Sequence, residues 1–206
     1  ETEPYALDTI PGLRQAATLA GTRRELILTT SDWNGVGSAV NLGRQLARFG
    51  LDRQLLLQAD TESTCKRVAA VWPWLACGYS HGIPGFSARY ASLGMPLVNM
   101  WNLWSAKWLT LARLCELGLN VMMMDSDILV LADPYRLLHH PPLDKYALIL
   151  PPEGERVNVG YIYARGSDGG HVGSGRASSG GLHSLLWDVV RRLRLFIELQ
   201  TLTDRN

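Results

Sequence analysis

The sequence predicts an α/β fold, a largely parallel sheet flanked by helices, and three observations point to it. Short apolar runs alternate along the chain with longer stretches of helical periodicity. The runs have unbroken apolar centres, LIL, LLL and VMMM among them, as strands buried on both faces do. Glycines stand directly after the helical stretches, where a left-handed residue ends a helix.

In chain order, Glu25–Thr30 (ELILTT) reads as a buried strand followed by the loop SDWNGVGS. A helix over Ala39–Phe49 ends at Gly50. Gln54–Ala59 is a second strand, closed by Asp60, and Glu62–Val71 a second helix. Residues 72–96 mix Gly, Pro and aromatics and read as an irregular excursion. Trp101–Leu117 is a long helix ending at Gly118. The run VMMMDSDILVLADPY follows, a strand interrupted by Asp125-Ser126-Asp127 and turned at Asp133-Pro134. Tyr146–Leu150 and Val157–Ala164 complete the strands. Residues 166–181, mostly Gly and Ser, offer few apolar anchors and read as a flexible insertion. Leu182–Leu199 is helical, with a basic patch at Arg191, Arg192 and Arg194. One domain thus spans 1–165, and 182–206 supplies its C-terminal helix.

With 206 residues and 47% hydrophobic composition, the chain can bury one substantial core. Its 20 basic and 19 acidic residues are interspersed, net +1, which argues against a nucleic-acid groove or a polybasic membrane face. No apolar run approaches the ~18 residues of a membrane span. The chain begins with Glu1 and shows no signal peptide, so it is expected to be a piece of a longer protein whose start could carry targeting information. Cys65, Cys77 and Cys115 have no zinc spacing and are expected as free thiols, with a Cys65–Cys77 bridge the lesser alternative.

Two aspartates inside a buried-looking run need a reason, because an unpaired buried carboxylate is costly. In an extended strand, residues two apart share a face. Asp125 and Asp127 would then project together, as hard oxygen ligands for Mg²⁺ or Mn²⁺, and such an ion can neutralise a diphosphate. The plainer alternative is a turn residue beside a solvated one. Lys107 falls within the apolar face formed by Met100, Trp101, Leu103, Trp104, Trp108, Leu111, Leu114 and Cys115, opposite Asn102, Ser105, Arg113 and Glu116. A lysine there needs an anionic partner, either a bound phosphate or a buried carboxylate. Gly35-Val36-Gly37 and Asp60 imitate a dinucleotide fingerprint, but Val40 stands at the third glycine position.

Taken in order, LILTTSDWN, NLGRQLARFGLDRQLLLQAD, SAKWLTLARLCELGLNVMMMDSDILVLADPY and NVGYIYAR resemble the nucleotide-diphospho-sugar transferases of the GT-A type. They are most similar to the group of plant and algal arabinosyl-, xylosyl- and galactosyltransferases. The resemblance implies a GT-A-like, Rossmann-like sheet, here C-terminally incomplete. It implies that Asp125 and Asp127 hold Mn²⁺ or Mg²⁺ on the donor diphosphate, with Ser126 counted in the donor-binding set. Lys107 would contact donor phosphate or sugar, and Thr29, Thr30 and Asp32 would lie near the nucleoside. Asn158 and Gly160 would line the sugar-acceptor side. No histidine receives a role.

The expected activity is transfer of a sugar from a UDP-linked donor to a glycan or glycoprotein, with retention of configuration, in the Golgi lumen. The full-length chain could be membrane-anchored, without membrane contact by this segment. Two rivals stay open. One is a haloacid-dehalogenase-type phosphatase with Asp125 as nucleophile, against which Leu129 and a missing downstream acidic pair count. The other is a truncated module that binds nucleotide sugar or glycan without turnover.

Overall fold

The computed structural model describes residues 3–82, 98–154, 156–166 and 179–203. Among them seven strands form one sheet, in the order β1 (Tyr5–Ala6), β4 (Ala76–Tyr79), β3 (Leu55–Ala59), β2 (Glu25–Ser31), β5 (Asn120–Met124), β9 (Tyr161–Ala164) and β6 (Leu148–Ile149). The first five run parallel, with Ile27 opposite Leu55 and Met122, while β9 is antiparallel to both β5 and β6. A small hairpin pairs β7 (Pro152–Glu153) with β8 (Arg156–Val157).

Because both faces of the parallel strands are covered, their apolar residues sort by parity into two layers. Leu26, Leu28, Leu56, Val121, Met123 and Ile162 pack against α1 (Ile10–Ala17), α4 (Val98–Glu116) and α6 (Ser179–Thr203). On the other face, Ile27, Leu55, Leu57, Met122, Met124 and Tyr163 meet α2 (Val36–Ala47), α3 (Glu62–Val71) and the one-turn α5 (Tyr135–Leu138). Gly50 and Gly118 take φ values of 70° and 79°, as the helix stops α2 and α4 require. In each case the next residue's amide reaches back to the helix, Leu51 to Leu46 O and Leu119 to Leu114 O.

The largely parallel α/β sheet and the helix Glu62–Val71 match expectation, and several details are corrected. The helix expected over Ala39–Phe49 is α2, which begins at Val36. The 72–96 excursion contains β4, and residues 83–97 lie outside the described part. Tyr146–Leu150 shrinks to the two residues of β6. Val157–Ala164 is split, because a turn at 158–160 separates β8 from β9. No strand resumes at 128–131, where Leu129 and Leu131 are exposed. On α4, Trp104 is exposed and Ser105 buried, opposite to the simple helical projection, because sheet and neighbouring helices enclose more than one stripe. Of the 166–181 segment, 167–178 lies outside the described residues. Ser179–Gly181 opens α6, and the Gly166 amide donates to Asn120 Oδ1.

The expectation of free thiols fails for two of the three cysteines. Cys65 on α3 and Cys77 on β4 form a disulfide, their α-carbons 5.4 Å apart. The α3–β4 connection folds the helix back against the strand that follows it, which brings the two together. Cys115 remains free and buried, and burial pushes its thiol up to about 12.

At the amino end of the sheet, Glu25 is buried but well partnered. Its carboxylate accepts from Asn120 Nδ2 at 3.0 Å and from the Tyr163 hydroxyl at 3.1 Å, and His139 Nε2 lies 2.9 Å away. Burial, and after it the Glu25 charge, raise the Tyr163 hydroxyl's pKa. The cluster joins β2, β5 and β9 to the segment after α5.

Candidate functional site

From β2 the chain steps to β3 and then β4 on one side, and later returns to β5 on the other side of β2. The carboxyl ends of β2 and β5 therefore flank the point where strand order reverses, the crevice in which open α/β sheets bind ligands. Asp32 follows β2 here and Asp125 follows β5.

Asp125 is the first residue past the strand. Its amide donates to Gly160 O at 2.7 Å, and its carbonyl accepts from the Ile128 amide at 3.3 Å. Ser126 and Asp127 therefore lie in a turn, not in an extended strand. The argument that strand alternation aims both carboxylates to one face is corrected accordingly, since the turn sets the direction of Asp127. Asp127 is exposed, Ser126 half-buried, and the Asp125 side chain 42% exposed. Both carboxylates are open to solvent at the sheet's edge.

The apolar stripe of α4 delivers Lys107 beneath them. Its side chain is only 5% exposed, and Nζ donates to Asp125 Oδ1 at 3.1 Å and to Val159 O at 3.4 Å. The anionic partner that its position demands is thus one of the two motif aspartates.

The split between β8 and β9 completes the setting. The Gly160 amide donates to Asn158 Oδ1 at 2.7 Å, closing a tight turn. A β-carbon on Gly160 would stand 2.6 Å from Asp125 Oδ2 and 3.0 Å from Asn158 Oδ1, so only glycine leaves the carboxylate its place.

Lys107, Asp125, Asn158 and Gly160 are therefore brought together directly, and Ser126 and Asp127 adjoin them through the turn. Thr30 and Asp32 stand at the end of the neighbouring strand, partly exposed, with Asp32 Oδ1 accepting the Gly35 amide at 2.8 Å. Thr29 is fully buried, and its hydroxyl has no hydrogen-bond partner among the described residues. Asp60 is engaged locally, accepting from Thr64 Oγ1 at 2.8 Å at the start of α3. One residue near the site escaped the sequence: Gln45 of α2, whose Oε1 accepts the Val130 amide at 2.7 Å and holds the segment leaving the turn. Nothing in the periodicity of α2 marks it.

Asp125 and Asp127 are the residues here that could hold a divalent cation. Oδ1 of Asp125 is engaged by Lys107, Oδ2 lies against the bare α-carbon of Gly160, and Asp127 is exposed. Among the described residues no third His, Cys, Asp or Glu joins them. One or two carboxylates completed by substrate phosphates and water is the usual protein share for Mg²⁺. Among the same residues no helix is long and apolar enough to cross a membrane.

The fold and site define an α/β domain with a carboxylate-bearing turn at its switch point. No protein-family profile and no curated protein matches the sequence. Among solved structures, core-mannan synthase A (CmsA/Ktr4) from Aspergillus fumigatus, in its Mn/GDP form, is similar with a TM-score of 0.30 and 11% identity. The similarity covers 56% of this chain and 39% of that one, so the chain spans well under half of that protein's length.

Proposed function

We propose that this domain is a metal-dependent glycosyltransferase that takes a sugar from a nucleoside diphosphate donor, UDP-linked, and passes it to a glycan or glycoprotein. The observation that carries the reading is the Asp125–Asp127 turn at the β2/β5 switch point, backed by the buried Lys107. Asp125 and Asp127 would hold Mn²⁺ or Mg²⁺. Such an ion, when bound, supplies Lewis-acid stabilisation of the leaving diphosphate. Lys107 fixes the Asp125 carboxylate and keeps a positive charge in a weakly hydrated position, where charge acts more strongly than in water. Thr30 and Asp32, at the end of the adjacent strand, would contact the nucleoside. Asn158 shapes the turn at 158–160, which would line the acceptor side. Retention of configuration follows the family resemblance. The Cys65–Cys77 disulfide suits an oxidising compartment such as the Golgi lumen.

Calorimetry with UDP tests the reading. Affinity should be measurable with Mn²⁺ and lost in chelator, because the carboxylates alone repel a diphosphate. Asp127→Asn should abolish metal-dependent binding while leaving the melt cooperative. Equal UDP affinity with and without metal would sink the assignment. Release of free sugar from a UDP-sugar with Mn²⁺ separates a transferase from a pure binder.

A further inference from the structure

The position of Lys107 has a consequence for how the site fills. Its ammonium, 5% exposed and held by Asp125 Oδ1 and Val159 O, already meets the charge that a divalent cation would seek. Asp125, Asp127 and Lys107 together carry one net negative charge. Two carboxylates without the lysine would carry two. We propose that Lys107 is a built-in competitor of the divalent cation at Asp125, so that the protein alone holds the metal weakly and holds it firmly only together with the donor diphosphate. The inference rests on the metal-dependent reading above and assigns Lys107 as a positioning residue whose direct partner is Asp125.

The electrostatic reasoning is direct. A dication approaching Asp125 in the free protein meets a fixed ammonium a few ångströms away. That repulsion is large at the effective dielectric of a protein edge. A diphosphate arriving with the cation reverses the sign, because its negative charge is attracted both to the metal and to Lys107. Metal and donor therefore strengthen each other's binding, and by linkage each does so by the same factor. Lys107 is 4% exposed, so swinging clear to relieve the repulsion would require its surroundings to move. A methyl group at Gly160 would stand 2.6 Å from the second carboxylate oxygen of Asp125 and displace it.

The test is a Mn²⁺ titration followed by electron paramagnetic resonance of free Mn²⁺, without nucleotide and then with saturating UDP. Lys107→Met should bind Mn²⁺ alone about tenfold more tightly than the wild type, the direction Coulomb's law requires on removing a neighbouring cation. The enhancement of Mn²⁺ binding by UDP should shrink in the same variant. Lys107→Gln, which keeps a hydrogen-bond donor without the charge, serves if the Met variant melts non-cooperatively, and should behave alike. Gly160→Ala should lose Mn²⁺ binding in both conditions. Unchanged or weaker binding of Mn²⁺ alone in the Lys107 variants, beside a wild type that binds Mn²⁺ with UDP, would overturn this inference and leave the metal-dependent function standing. A wild type that binds UDP but never Mn²⁺ would overturn both.

Discussion

Lys107 and Asp125 form an ion pair whose halves stand in different surroundings: the ammonium side chain is 5% exposed and the carboxylate side chain 42%. The two truncations should therefore differ. Lys107→Met leaves a carboxylate that water can reach and should change stability by no more than about 1 kcal/mol. Asp125→Ala leaves a buried ammonium with, among the described residues, only Val159 O as acceptor and should cost about 2–3 kcal/mol, a charged hydrogen bond's worth. Denaturant melts of both variants without ligand check this, and a larger loss for Lys107→Met would refute it.

Gln45 should matter beyond its place on a helix surface. Its side chain holds the Val130 amide, and with it the segment that leaves the Asp125–Asp127 turn. Gln45→Leu keeps bulk but removes the acceptor and should cost about 1 kcal/mol. Amide exchange at Val130 should accelerate while exchange in β5 stays slow. Unaltered exchange at Val130 would show that other contacts hold the segment.

The Cys65–Cys77 bridge closes a short loop, with a sequence separation of 12, and ties α3 to β4. Replacing both cysteines by serine should cost about 3 kcal/mol, mainly by freeing the unfolded chain. Thiol titration in denaturant should find one free thiol in the unreduced protein, that of Cys115, and three after reduction. Three thiols without reduction would remove the bridge.

Much of the layout was legible because it depends on local patterns. Leu26–Leu28 and Leu55–Leu57 read as buried strands from unbroken apolar runs, and Gly50 and Gly118 as helix ends from their place after a periodic stretch. Residues 3–24 were not assigned, and they hold β1 and α1, a two-residue strand and an eight-residue helix too short to stand out from their own pattern. The long run after Asn120 misled in the other direction. Ile128–Leu131 is as apolar as a strand, yet the Asp125–Ile128 turn takes it off the sheet and leaves Leu129 and Leu131 in solvent.

By itself the sequence determined that the chain alternates strand and helix, that Asp125 and Asp127 interrupt an apolar run, and that Lys107 in an apolar face must find an anion. These follow from periodicity and from the cost of burying charge, which act within a few residues. Only the tertiary structure decided that the anion is Asp125, 18 residues away on another element, that Gly160 must be bare to seat that carboxylate, and that Cys65 meets Cys77. Strand order, the packing of α4 on the sheet and the return of α3 onto β4 set those meetings, and none of them is written in the periodicity of a single element.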